Sequence, residues 1–161
     1  MTRLDLFIDR MVSQRACLNH AIAATAAMEG PVFELGLGNG RTYHHMREMI
    51  AGRAIYVFER AVASHPDSTP PDDQIILGDV MQTLPEAVAR FGETASLIHA
   101  DLGDHNREKN DMFARKVSPL IEPLLAPGGM MVSSDRMYFE HLEELPLPDG
   151  AVPERCFVYR K

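Results

Sequence analysis

The stretch from Pro31 to Thr42 restricts the fold of this chain more than any other. A short, mostly apolar run, Val32 to Leu35, predicts a buried strand, and three alternating glycines follow it at Gly36, Gly38 and Gly40. A helical pattern begins directly after the third glycine. Glycine lets a backbone turn sharply and lie against a ligand, and a helix N-terminus offers unpaired N–H groups. A strand, a glycine loop and a helix in this order predict the nucleotide-binding corner of a doubly wound α/β sheet.

Strands and helices alternate along the rest of the chain. Further strands are expected at residues 54–58, 74–77, 95–100 and 130–134. Helices are expected at residues 4–28, from the glycine loop to Gly52, from Thr83 to Gly92, and from the loop 103–110 through Leu124, where Pro119 and Pro123 kink or divide it. The remaining segments predict a short helix at 60–65, a loop at 66–73, a final helix at 138–145 and an edge strand at 155–160.

This alternation predicts a single α/β domain over residues 1–161, with a doubly wound, mostly parallel sheet. We divide it into an N-terminal helix (1–30), a core (31–135), and a C-terminal helix with an edge strand (136–161). Only one strand is evident after residue 134, which leaves open a sheet that is reduced at its C-terminal edge. The N-terminal helix either simply packs on the sheet or also covers the ligand site.

Charge and composition narrow the range of partners. The formal net charge is −7, and Lys and Arg are scattered along the chain. Nucleic-acid binding usually needs a basic stripe, so a small-molecule partner is favoured over nucleic acid. No apolar run approaches the ~20 residues of a membrane span, and residues 1–5 do not begin a signal-peptide pattern. Cys17 and Cys156 are unclustered, so a reducing, cytoplasmic location is expected.

Carboxylates end most of the predicted strands. Glu59, Asp79, Asp101 and Asp135 lie at or beside the ends of the second to fifth strands, where ligands of such sheets bind. A dinucleotide-binding loop needs a glycine three residues after its second glycine, and that position is Arg41. An NAD-dependent oxidoreductase is thereby disfavoured, although it stays an alternative.

In these features the sequence resembles the class I S-adenosylmethionine-dependent methyltransferases. The resemblance lies in Glu34 to Thr42, Glu59, Gly78-Asp79-Val80, Asp101, and Leu124 to Gly129, which is similar to a turn common before the fifth strand of that family. It covers about residues 31–135. It implies a Rossmann-like methyltransferase fold with S-adenosyl-L-methionine as the cofactor.

The resemblance also implies roles for the residues of the glycine loop. The three glycines let the backbone approach the methionine part of the cofactor, and Glu34 belongs to the same binding motif. Arg41 and Thr42 open the following helix and are expected to meet the cofactor carboxylate.

Roles follow for the strand-terminal residues too. By the resemblance, Glu59 binds the ribose hydroxyls, and Asp79 accepts a hydrogen bond from the adenine amino group, with Val80 against the ring. Asp101 is expected near the sulfonium, where a negative charge suits a positive cofactor. Arg60 stands where an apolar residue is usual, but its guanidinium can stack on adenine.

The acids after strands four and five raise the question of a metal. Asp101 and Asp135 are similar to the cation-binding acids of the catechol-type O-methyltransferases, which usually have Asp-Asn at the second position. Here Arg136 follows Asp135. A cationic side chain in place of an oxygen ligand disfavours Mg²⁺, so no metal is expected.

The catalytic residues are less evident than the binding residues. His105, four residues after Asp101, is the candidate base, and Asp101 is the second candidate catalytic residue. A base is needed only where the acceptor must lose a proton, since alignment and desolvation supply much of the acceleration in methyl transfer. His99 is expected to be a satisfied core residue, and Tyr138 is placed to line an acceptor pocket.

These features predict a methyltransferase that acts on a small-molecule acceptor. The alternative from another class is a non-catalytic protein that binds S-adenosylmethionine or S-adenosylhomocysteine, as a sensor or a subunit. The small size, the apolar N-terminal helix and an unpaired edge strand favour a homo-oligomer.

Overall fold

The computed structural model describes residues 1–104 and 106–161. It contains four helices, α1 Arg3–Ala24, α2 Arg41–Met49, α3 Val80–Phe91 and α4 Arg107–Ile121. Its strands are β1 Val32–Leu35, β2 Ile55–Glu59, β3 Ile75–Leu77, β4 Ala95–Ala100, β5 Leu125–Ser133, β6 Glu143–Glu144 and β7 Phe157–Arg160.

The seven strands form one sheet in the order β3-β2-β1-β4-β5-β7-β6. The pairings among β1 to β5 are parallel, and β7 runs antiparallel between β5 and β6. The chain adds β2 and β3 on one side of β1 and then β4 and β5 on its other side. The carboxyl end of β1 is therefore the topological switch point, where ligands of open α/β sheets bind.

Two apolar layers cover the sheet, as the predicted doubly wound fold requires. Phe33 and Leu35 of β1 pack with residues of α3 and α4 on one face. Val32 packs with residues of α1 and α2 on the other face. Successive residues of β1 thus pack into opposite apolar layers, which explains why β1 is buried throughout.

The C-terminal segment differs from its sequence prediction. Residues 138–145 do not form a helix but lead into the two-residue strand β6. Leu145 donates a backbone hydrogen bond to Val158, and the adjacent prolines at 146 and 148 oppose helix formation. The expected edge strand, β7, lies inside the sheet and pairs on both sides. The sheet therefore has seven strands and ends in the two-residue strand β6.

Several boundaries of other elements were also predicted wrongly. The N-terminal helix ends at Ala24, because the Thr25 hydroxyl caps it by donating to the Ala21 carbonyl. The segment 60–65 is not helical, and short 3-10 turns form instead at Pro66–Ser68 and Asp72–Gln74.

Proline and glycine positions account for the remaining differences. Helix α4 continues through Pro119 and gives way to a 3-10 turn, Glu122–Leu124, so the predicted division falls after Ile121. Strand β5 starts at Leu125, before the Pro-Gly-Gly turn, and its pairing with β4 shifts register between Ala95 and Leu97. The turn is accommodated as an irregularity within the strand.

Candidate active site

A two-lobed cavity opens at the carboxyl ends of β1, β2 and β4. One lobe, of about 270 Å³, is bounded by the ends of β2 and β4 and by the start of α3. The other lobe, of about 120 Å³, lies between the glycine loop and α1. Gly36, Gly38 and Asp101 line both lobes, so the lobes meet at the switch point of the sheet.

The glycines of the loop serve different purposes. Gly36 has a φ of +86°, and a Cβ there lies 2.5 Å from the carbonyl oxygen of Asp101. Gly38 has a φ of +50°, and a Cβ there meets no heavy atom within 4 Å. Gly36 is therefore required by packing between β1 and β4, whereas Gly38 leaves open space beside a ligand.

Glu59 ends β2 and faces the glycine loop. Its carboxylate accepts N–H groups from Leu37 at 2.8 Å, Gly38 at 3.1 Å and Arg60 at 2.7 Å. Partial burial opposes ionisation, but hydrogen bonds from Arg60, Gly38 and Leu37 outweigh it and lower the pKa of Glu59. The side chain is thus held as an anion beside the larger lobe.

Asp79 and Val80 both line the larger lobe. One oxygen of Asp79 accepts the Met81 N–H at 2.9 Å and caps α3, which therefore begins at Val80 rather than at Thr83. Most of the remaining lining is apolar. The additional lining side chains are Phe58, Arg60, Leu102 and Phe113. A flat, apolar ring with a polar edge fits between such walls.

Asp101 ends β4 with its carboxylate fully engaged. Nη2 of Arg10 lies 2.7 Å and 2.6 Å from its two oxygens, Ser134 donates to one oxygen at 2.7 Å, and Gln14 donates to the other at 3.1 Å. Burial raises the pKa of Asp101, but Arg10 and His99 oppose this and leave it below its ordinary value. These contacts suit a positioning role better than proton acceptance.

Glu34 lies beneath the cavity and lines neither lobe. It is wholly buried, accepts the Thr42 hydroxyl on one oxygen, and pairs with Nδ1 of His99 at 2.7 Å on the other. Burial opposes protonation of His99, but Glu34 and Asp101 outweigh it and raise the pKa of this imidazole. His99 is thus a satisfied core residue, and Glu34 supports the loop from below.

The start of α2 forms one wall of the smaller lobe. Gly40 is its N-cap with a φ of +85° and gives no side-chain cap, so the first N–H groups of the helix stay available. Arg41 and Thr42 both line the lobe, and Arg41 is exposed. Thr42, which the sequence placed near the cofactor carboxylate, donates its hydroxyl to Glu34.

Helix α1 supplies a wall of the site through residues that no sequence motif indicated. Phe7, Arg10, Met11 and Gln14 line the smaller lobe, so α1 covers the ligand site as well as packing on the sheet. Their spacing of three and four residues places them on one helical face. That spacing was the available signal, although the sequence does not say where the face points.

The catalytic candidates are less well defined. His105 lies outside the described residues. Tyr138 does not line the cavity, because its hydroxyl donates to Asp111 and the Arg115 guanidinium lies 3.8 Å from its ring centroid. Within residues 1–104 and 106–161, no three His, Cys, Asp or Glu side chains form a metal-binding group. No helix in these ranges is long and apolar enough to cross a membrane.

The topological switch point, the glycine loop and the acid-ended strands define an S-adenosylmethionine-binding α/β domain. The entire chain, residues 1–161, matches the family described as S-adenosyl-L-methionine methyltransferase. The chain belongs to this family, and it is an enzyme that uses S-adenosyl-L-methionine. The NAD-dependent oxidoreductase and the non-catalytic binding protein are thereby set aside. No protein of curated function matches the sequence.

Solved structures agree with this assignment. An S-adenosyl-L-methionine methyl transferase from Silicibacter pomeroyi DSS-3 is 76% identical, with a TM-score of 0.97 over 99% of this chain and 98% of that chain. The Burkholderia thailandensis 1,6-didemethyltoxoflavin-N1-methyltransferase, bound to S-adenosylhomocysteine, is 14% identical, with a TM-score of 0.60 over 92% of this chain and 78% of that one. Aeropyrum pernix fibrillarin, with bound S-adenosyl-L-methionine, is 21% identical, with a TM-score of 0.57 over 92% of this chain and 76% of that one. The last two are similar in fold.

The cavity suits this cofactor chemically. The larger lobe joins apolar walls to two carboxylates, Glu59 and Asp79, which accept hydrogen bonds from hydroxyl and amino groups. The smaller lobe contains two guanidinium groups, Arg10 and Arg41, which match a carboxylate. Gly38 leaves the junction between the lobes open.

Proposed function

We propose that this enzyme methylates a small-molecule acceptor, with the cofactor spanning the two lobes. The observation that carries the proposal is the junction of the lobes at Gly36, Gly38 and Asp101. A nucleoside in the larger lobe and an amino-acid chain in the smaller one bring the sulfur to this junction. The methyl group then lies beside the carboxyl end of β4.

In this proposal the strand-terminal acids hold the nucleoside. Glu59 accepts the ribose hydroxyls, and the oxygen of Asp79 that does not cap α3 accepts the adenine amino group. Val80 contacts the ring, and Arg60 lies over it. The glycine loop and the start of α2 follow the amino-acid chain. Each hydrogen bond to an ionised carboxylate is worth roughly 1.5–3 kcal/mol.

A third cavity is the proposed acceptor site. It measures about 210 Å³ and lies beyond the end of β5. Ser134 lines it and donates to Asp101, which connects it to the cofactor junction. Its lining mixes cations and anions with one aromatic ring, which favours a small polar acceptor over a nucleic acid. The lining residues are Arg107, Asp111, Ser134, Asp135, Arg136, Glu154 and Phe157.

The cofactor, when bound, supplies an electrophilic methyl group. The protein then has to align the acceptor, exclude water and, for some acceptors, take up a proton. Asp135 lies in the acceptor cavity, and burial raises its pKa against a hydrogen bond from Asn110, with Asp101 reinforcing the increase. Asp135 therefore joins His105 as a candidate base, since a raised pKa favours proton uptake near neutral pH.

Binding of S-adenosylhomocysteine tests the cofactor site. In isothermal titration we expect the wild type to bind, and Glu59→Gln to bind roughly ten- to a hundredfold more weakly because two charge-assisted hydrogen bonds are weakened. The matched control is Glu93→Gln, since Glu93 pairs with Lys161 outside the cavity. No binding by the wild type, or equal binding by Glu59→Gln, contradicts the proposal.

Turnover tests the acceptor class. Release of S-adenosylhomocysteine from S-adenosylmethionine is measured with panels of small polar acceptors and with RNA and DNA. We expect turnover with a small molecule and a reduced rate in Asp135→Asn. Turnover confined to nucleic acid contradicts the proposal.

We also propose that the protein forms a homo-oligomer through the first turns of α1. Leu4, Phe7, Ile8 and Val12 are 65%, 49%, 48% and 37% exposed, although all are large and apolar. A surface of this kind is typical of an interface. The cytoplasmic location expected from the sequence stays a prediction.

A further inference from the structure

We infer that Arg10 of the N-terminal helix binds the carboxylate at the amino-acid end of the cofactor, and that Asp101 orients Arg10 for this task. The inference rests on the proposed placement of the cofactor across the two lobes. It assigns a cofactor-binding residue to α1, outside the glycine loop and the strand-terminal acids.

The guanidinium of Arg10 is held from one side only. Both of its hydrogen bonds to Asp101 come from the same nitrogen, Nη2, at 2.7 Å and 2.6 Å. A guanidinium carries five N–H donors, so the donors on Nε and Nη1 make no hydrogen bond within residues 1–104 and 106–161. The side chain is 41% exposed and lines the smaller lobe. Arg10 therefore keeps three N–H donors, one on Nε and two on Nη1, for an anion while its ion pair stays intact.

Asp101 is suited to orient Arg10 rather than to bind the ligand. Its two oxygens already accept four hydrogen bonds, two from Arg10 and one each from Ser134 and Gln14. A carboxylate offers about four lone-pair positions, and side-chain donors occupy all four here, so Asp101 accepts a ligand ammonium only if it gives up one of these contacts. Gln14 also lies one helical turn after Arg10, so two residues of α1 are fixed on the same carboxylate.

The charges in the smaller lobe make a cation next to Asp101 necessary. A ligand carboxylate that enters this lobe approaches the anionic Asp101, which lines it. Without Arg10 the two anions repel each other. With Arg10 between them, one planar guanidinium contacts both, because Nη2 pairs with Asp101 while Nε or Nη1 donates to the ligand carboxylate.

Arg41 is the competing candidate, because it lines the same lobe and opens α2. Arg41 is exposed and has no ion pair within the described ranges, so its side chain must lose rotamer freedom on binding. Arg10 is already fixed by Asp101. A pre-positioned donor loses less entropy on binding, and this difference favours Arg10.

Two ligands that differ only in the amino-acid end test the inference by isothermal titration. S-adenosylhomocysteine carries the carboxylate, whereas 5′-methylthioadenosine has the same nucleoside and thioether without it. We expect Arg10→Met to weaken S-adenosylhomocysteine binding roughly tenfold or more and to leave 5′-methylthioadenosine binding unchanged. Arg10→Lys, which keeps a positive charge, is expected to recover part of the loss. Arg3→Met, on the same helix but outside the lobe lining, is the matched control.

Each other outcome has a definite meaning. Equal losses for both ligands in Arg10→Met, or no loss for either, overturn the inference. A selective loss in Arg41→Met with none in Arg10→Met also overturns it, because the carboxylate then belongs to Arg41. Failure of the wild type to bind either ligand contradicts the proposed function instead. Thermal unfolding of each variant, checked first, separates loss of binding from loss of fold.

Discussion

Gly36 and Gly38 are two residues apart in one loop, yet a side chain is disfavoured at the two positions for different reasons. A side chain at Gly36 collides with the backbone of β4, and a side chain at Gly38 meets nothing in the protein. Packing within the fold therefore excludes a side chain at the first position, whereas the second has a positive φ but open space, which we assign to the ligand. Stability and binding measurements can separate these two effects.

Gly38→Ala is expected to weaken S-adenosylhomocysteine binding at least roughly tenfold, because the added methyl group projects into the open junction between the lobes. It should also cost about 1 kcal/mol of unfolding free energy, since alanine disfavours positive φ. Titration and denaturant unfolding measure the two effects. Gly52→Ala is the matched control, because Gly52 has a φ of +77° with open space around it but does not line the cavity. An equal loss of binding in both variants contradicts this role of Gly38.

His99 and Glu34 form a wholly buried pair beneath the glycine loop. They are neighbours in register across β1 and β4, so the sheet itself brings them together. Removal of one member of a buried ion pair leaves the other without compensation, which typically costs 3–5 kcal/mol. Glu34 also accepts the hydroxyl of Thr42, which follows the glycine loop, so the buried pair connects the core to this loop.

The wild type is expected to lose stability relative to His99→Gln as the pH rises above 6.5. The pKa of His99 is raised above its ordinary value of 6.5 by Glu34 and Asp101, which outweigh its burial. Its stabilising contribution is therefore complete below 6.5 and disappears as the pH passes through the raised pKa. Unfolding free energies of both proteins from pH 5.5 to about 9 measure the difference. A difference that is constant with pH, or that grows with it, contradicts a charged His99.

At the scale of elements, helix α3 shows how a proposed binding residue, Asp79, also determines where a helix begins. Asp79 caps α3 with one oxygen and faces the larger lobe, so a single carboxylate belongs to both a helix and a site. Thr83, where the sequence predicted the helix to begin, is also a residue type that caps helices, but Asp79 begins the helix one turn earlier. A local pattern does not decide which of two competing caps is used.

Two substitutions separate the functions of Asp79. Asp79→Asn keeps a capping oxygen, so we expect little change in stability and a weaker binding of S-adenosylhomocysteine, since a neutral amide is a poorer acceptor for the adenine amino group. Asp79→Ala removes both the cap and the acceptor, so we expect weaker binding of S-adenosylhomocysteine and a loss of about 1 kcal/mol of unfolding free energy. Thermal unfolding and titration report the two quantities. Unchanged binding in both variants refutes a role in adenine recognition.

Most elements up to β5, and strand β7 after it, were predicted from patterns in the sequence, whereas β6 was not. Strands β1, β2 and β4 are continuous apolar runs between turn residues, and such runs carry a strong signal. Strand β6 is two residues long, Glu143–Glu144, and both are exposed. Strand β6 forms because its backbone pairs with β7, and no local sequence pattern predicts this pairing.

At the scale of the whole molecule, α1 does two things at once. Its second half is buried against the sheet, with Cys17, Leu18 and Ala21 in the core. Its first half extends past the sheet, where one face lines the cofactor lobe and the rest exposes apolar side chains. The cofactor site and the proposed oligomer interface thus share one helix.

A double substitution, Leu4→Glu with Ile8→Glu, is expected to convert the oligomer to a monomer without changing the affinity for S-adenosylhomocysteine. Both side chains are exposed and neither lines the smaller lobe, so the added charges act only on the interface. Sedimentation velocity measures the oligomeric state. Met49→Glu, which changes an exposed apolar residue at the end of α2, is the control. A wild type that stays monomeric at high concentration contradicts the interface.

The sequence alone determined the class of ligand and the edge of the sheet that holds it. The glycine loop, the strand-terminal acids and the arginine at position 41 are local features, each readable within a few residues. They separate a methyltransferase loop from a dinucleotide loop because backbone conformation depends mainly on the residues themselves.

Only the tertiary structure decided what each charged side chain faces. Arg10 and Asp101 are 91 residues apart, and His99 and Glu34 are 65 apart. The sequence placed Asp101 and Thr42 beside the cofactor, and both line the cavity, but only the fold shows that Asp101 pairs with α1 and that the Thr42 hydroxyl donates to Glu34. Contacts between distant residues depend on how helices are laid across the sheet, which local patterns do not encode. For that reason the methyl donor, S-adenosylmethionine, could be identified from the sequence. The part of the site that α1 forms could be identified only from the structure.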